Sequence, residues 1–205
     1  LGLHFERGRC QMPSIFRAFL AISAACLLVV GCGSDPSGSG GPGGDEHSLG
    51  WGMDLADGVR DSELPNGELF YIACIDVNEE GEPETNIPWQ FYYAVPSDST
   101  NLLIVVVQYN GMTTHYWETE TALPLVSLPD YDDAGPWLTA VSDTLGAEFD
   151  DWEEYALMVK GNDYPEYPQV LNVAIIQYMS PDTTEQLTAI VNADNDTFLG
   201  YVGSP

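Results

Sequence analysis

Basic residues are almost missing from this sequence: Lys and Arg together number 5 in 205 residues, against 32 Asp and Glu. A surface of that sign repels phosphate backbones and anionic lipid, which argues against nucleic-acid binding and against electrostatic adhesion to a membrane. Histidine is scarce as well, with His4, His47 and His115 the 3 copies, too few for a transition-metal centre that gathers several nitrogen and sulfur ligands. There is no Gly-x-Ser-x-Gly elbow, no Gly-rich phosphate loop and no His-Glu-x-x-His pair, so the reaction classes those motifs mark have no foothold. No apolar run reaches the roughly 20 residues that a bilayer-spanning helix needs.

The apolar run that does exist starts at Ala18, follows Arg17, and closes on Val29-Val30-Gly31-Cys32. At about 13 residues it has the length of a signal-peptide h-region rather than of a span. A positive start, an apolar middle and a small residue before cysteine resemble the bacterial lipoprotein signal, with Val29-Val30-Gly31-Cys32 as its lipobox. The resemblance implies cleavage after Gly31, lipidation of Cys32 and attachment to the membrane of a bacterial cell envelope through acyl chains. Two or three chains, at roughly 0.8 kcal/mol per buried methylene, hold far better than one. Gly33 after the cysteine, by analogy with enteric bacteria, favours the outer membrane over the inner. Met12 is the expected true start, and residues 1–31 the expected signal peptide.

Processing of that kind sharpens the imbalance of charge. Arg60 and Lys160 would remain against 31 acids, a formal charge of −29, so cations and basic partners are favoured and the membrane link is the lipid alone. It also removes Cys10 and Cys26 and acylates Cys32, leaving Cys74 as the one thiol and no intramolecular disulfide. Residues 32–50 are rich in Gly, Ser, Pro, Asp and Glu and read as a flexible tether. The remaining roughly 155 residues suit one domain or two small ones sharing a core.

Periodicity within that part is mostly that of strands. Helical spacing appears over 51–61, weakened by Gly52 and Gly58, and over Pro136 to Leu145, with Gly146 suited to end the helix. Strands are predicted over Glu68–Val77, Pro88–Val95, Asn101–Tyr109, Thr114–Glu118, Tyr155–Lys160, Val170–Met179, Gln186–Asn192 and Thr197–Val202. The order predicts an α+β fold: antiparallel sheets with two short helices, arranged as two α-β-β-β units over 51–128 and 129–205. The second half resembles a PepSY-type module on Ala140, Leu145, Gly146, Phe149 and Val191-Asn192-Ala193-Asp194, although the glycine usual after the acidic turn is absent between Asp196 and Phe198. That resemblance implies a non-catalytic binding or inhibitory unit.

Calcium is the sharpest chemical expectation, because hard cations draw several oxygen ligands from one loop. Asp76, Asn78 and Glu80 copy the first half of an EF-hand loop, but Ile87 stands at the twelfth position where a bidentate Glu belongs. The looser reading is a calcium loop on those three residues, on Asp130, Asp132 and Asp133, or on Asp194 and Asp196, with solvated turns as the alternative. An unrecognised hydrolase would draw on Cys74 with His115, or on the carboxylates from Asp150 to Glu154. Trp89, Phe91 and Tyr93 alternate to one side of their strand, as core residues or as an aromatic binding row. The sequence therefore predicts a lipid-anchored envelope protein with a non-catalytic binding or accessory domain, with calcium the one cofactor considered and a cationic envelope protein the partner.

Overall fold

The computed structural model describes residues 46–119, 126–146, 152–182 and 184–203, all in the second of the two compact units into which the chain divides, Gly38–Pro205. Helix α1 (Leu49–Glu63) leads into strands β1 (Glu68–Ile75), β2 (Trp89–Val95), β3 (Asp98–Val107) and β4 (Thr113–Thr119). Helix α2 (Gly135–Leu145) then leads into β5 (Glu153–Gly161), β6 (Asn172–Met179), β7 (Gln186–Asn192) and β8 (Thr197–Gly203). All the pairings are antiparallel, and the strands form a single sheet in the order β4-β3-β2-β1-β5-β6-β7-β8.

This corrects the expected α+β fold of two α-β-β-β units. The described residues are predominantly β, with one eight-stranded sheet against two helices of 15 and 11 residues. Four strands follow each helix, and β1 pairs with β5 from Tyr71↔Lys160 to Ile75↔Ala156, which fuses the meanders into a continuous sheet. The physical reason lies in the central strands. β1 is buried on six consecutive residues, Leu69 to Cys74, and β6 on seven, Asn172 to Tyr178, as befits central strands buried on both faces and flanked on both edges. The outermost strands β4 and β8 are instead half-exposed.

Both helices pack on the same face of the sheet. α1 lies against β2, β3 and β4, and α2 against β7 and β8. Leu49, Met53 and Ala56 of α1, and Trp137, Leu138 and Val141 of α2, join Ile72, Cys74, Trp89, Phe91, Val105, Leu157, Ile176 and Val191 in one core. Gly52, which weakened the helix on propensity, has a packing role: a Cβ there would lie 2.9 Å from Trp89 Cδ1. On the opposite face Tyr92, Leu102, Ile104, Met158 and Ile175 are buried as well. No helix among the described residues is long and apolar enough to cross a membrane.

The start of α1 is secured twice. The Ser48 hydroxyl accepts from the Trp51 amide at 3.2 Å as the N-cap. Just before it, His47 takes a left-handed φ of 88°, its ring stacks on Tyr109 with centroids 3.8 Å apart, and its carbonyl accepts from Trp89 Nε1 at 3.2 Å.

Candidate functional site

The acidic loops of the sequence meet at the N-terminal end of α2. The turn after β1 is held by Asn78, whose Oδ1 accepts from the Glu80 amide at 3.1 Å and the Glu82 amide at 2.8 Å. Gly81, at φ 81°, lets that turn press on α2: a Cβ there would be 2.7 Å from the Gly135 nitrogen, so any larger residue would meet both a strained backbone and a steric block. From the other side Asp133 Oδ1 accepts from the Gly135 amide at 2.9 Å, a compensation for α2 lacking a side-chain hydrogen bond from its N-cap residue, Ala134. The Asp132 carbonyl accepts from the Gly50 amide at 3.0 Å, fastening the same loop to α1.

Between these pieces lies an open groove of about 820 Å³. Its acids are Glu79 and Glu80 from the turn after β1, Asp133 and Asp143 from the loop and helix of α2, and Asp196 from the β7–β8 turn. Gly135, Pro136, Thr139, Ala140 and Thr144 of α2 and Phe198 of β8 supply the rest of the lining. Asp196 takes a left-handed φ of 57°, a conformation Asp and Asn tolerate better than most side chains, so it serves the turn where a glycine was missed. Among the described residues neither Arg60 nor Lys160 reaches the groove: Arg60 pairs with Asp57 at 3.2 Å and Asp61 at 3.0 Å, and Lys160 with Asp163 at 2.6 Å.

In the loop ahead of α2, Tyr131 packs edge-on to Trp137, with centroids 5.1 Å apart. Burial, and then the Asp194 carboxylate, push the Tyr131 phenol well above its ordinary range. Asn172 Nδ2 donates to Asp194 Oδ1 at 2.8 Å. Asp194 is therefore a structural acceptor in the turn, while Asp196 is offered outward.

The expected site residues thus part company. Glu80, Asp133 and Asp196 share the groove. Asp76 and Asn78 stay in the turn after β1, Asp130 and Asp132 lie outside the lining, and the Asn78 oxygen expected as a ligand already takes two backbone amides. Among the described residues no three His, Cys, Asp or Glu side chains stand together as a set that could hold a metal ion. Glu79, Asp143 and Phe198 were missed. The signal for part of them was present, since Pro136, Thr139, Ala140, Asp143 and Thr144 fall at the i, i+3, i+4, i+7 and i+8 positions of one helical face.

Cys74 points into the core at 1 % exposure. Burial, and then Asp76, push its thiol up, away from the thiolate. His115 stands on the edge strand β4, 3.7 Å from Glu63. β2 and β3 lie between β1 and β4, and three strand spacings of about 4.8 Å put at least about 14 Å between the backbones at Cys74 and His115. Trp89, Phe91 and Tyr93 are core residues, at most 1 % exposed. Gly31, Cys32, Phe149, Asp150 and Asp151 lie outside the described residues, as does the Glu154 side chain.

No family model matches the chain, and no curated protein matches it. In fold it is similar to the crystal structure of a candidate lipoprotein from Clostridium difficile 630, with a TM-score of 0.51 at 8 % identity over 73 % of this chain and 90 % of that one. At that identity the likeness is one of fold.

Proposed function

We propose that this chain is a lipid-anchored protein of the bacterial envelope whose domain binds a basic partner without catalysis, through the groove along α2. The observation that carries the binding role is the arrangement of Glu79, Glu80, Asp133, Asp143 and Asp196 around a partly apolar floor, while Arg60 and Lys160 are committed to ion pairs elsewhere. Such a surface attracts a segment that brings Lys or Arg to the rim and an apolar side chain to Phe198 and Pro136. The anchor rests on Val29-Val30-Gly31-Cys32, and the fold shared with a candidate lipoprotein is consistent with it. Gly33 after the cysteine favours the outer membrane over the inner as destination.

The test has one arm for each half of the proposal. Binding of a fluorescent lysine-rich peptide to the intact chain is measured against a variant carrying Glu80→Gln, Asp133→Asn, Asp143→Asn and Asp196→Asn. A control variant of equal charge carries Asp54→Asn, Glu63→Gln, Glu68→Gln and Glu166→Gln. The groove variant should bind at least about tenfold more weakly, a difference of about 1.4 kcal/mol, and the control should bind as the parent does. Equal losses in both variants would reduce the interaction to net charge and sink the groove as its site. For the anchor, Cys32→Ser should abolish incorporation of labelled palmitate and move the protein from the detergent phase to the aqueous phase. Retention of either property would overturn the lipid anchor and leave the groove result standing.

A further inference from the structure

We draw no further inference here: the strongest candidate, the apolar face of the sheet opposite the two helices, where Tyr92, Leu102, Ile104, Met158 and Ile175 are buried, carries nothing because nothing among the described residues shows what covers it.

Discussion

The acids of α1 and those on and just ahead of α2 are treated in opposite ways. On α1, Asp57 and Asp61 share Arg60. The Tyr93 hydroxyl donates to Asp57 Oδ1 at 2.9 Å, and the guanidinium carbon lies 5.7 Å from the Tyr93 ring centroid. Acid there is neutralised from within and helps to fix the helix to β2. On α2, Asp133 caps the helix and Asp143 faces the groove, and no described cation pairs with either. The acids that fix α1 therefore come with a counter-charge, whereas Asp133 and Asp143 keep theirs uncompensated beside the groove.

The largest expected effect comes from removing each helix's buried anchor. Trp137 and Met53 are 1 % and 4 % exposed, and truncation of such residues to Ala costs about 3–5 and 2–5 kcal/mol. Urea unfolding should place both variants far below the parent. Trp137→Ala should also lose peptide binding per folded molecule, while Met53→Ala should keep it; equal binding losses would dissolve the distinction between the helices.

Arg60→Ala should cost about 1 kcal/mol at neutral pH, because it leaves the half-buried Asp57 without its cation while solvent screens part of the loss. Burial already raises the Asp57 carboxyl above its ordinary value, with the Tyr93 hydrogen bond and Arg60 pulling it back. A raised folded value means that the folded state holds its proton more tightly than the unfolded one, so this group's contribution falls as pH rises through that window. Loss of Arg60 raises the value further. The midpoint gap between variant and parent should therefore be widest near pH 7 and narrow towards about pH 4; a gap that widens on acidification would refute the role given to Asp57.

A smaller gain is expected from Gly58→Ala. No atom stands within 4 Å of a Cβ at this exposed α1 position, so Ala should add about 0.5–1 kcal/mol through helix propensity alone, raising the thermal midpoint by a few degrees. Smallest of all, Asp143→Asn should change stability by at most about 0.5 kcal/mol, in the stabilising direction at low salt, and the gain should vanish near 1 M sodium chloride. A clear loss of stability there would mean that Asp143 is a structural acceptor like Asp194, and would weaken the contrast drawn between the helices.

Most elements were legible because their physics is local. Gln186–Asn192 was placed as found, and Gly135–Leu145 to within one residue, since helix and strand periods are written in neighbouring residues. The joining of β1 to β5 was not legible as periodicity. Strand alternation reports which way side chains point, but not which distant edge supplies the next row of hydrogen bonds. The near-continuous apolar run from Leu69 to Ile75 carried a hint, because a strand buried on both faces belongs in the middle of a sheet. For the groove, the three acidic loops were visible as loops, while their convergence depends on Gly81 meeting Gly135 and on Asp133 closing the α2 N-terminus. The EF-hand echo is explained locally: the Asn78 spacing that copies a metal loop is also the spacing of a side chain tying its own turn.

His47 stands immediately ahead of the α1 cap, Ser48. Its ring lies on Tyr109 and its carbonyl is held by Trp89, so the residue ahead of the α1 cap is fastened to β2 and to the turn after β3. With the residue ahead of its cap fixed to the sheet, α1 has less freedom to fray from Ser48 inward.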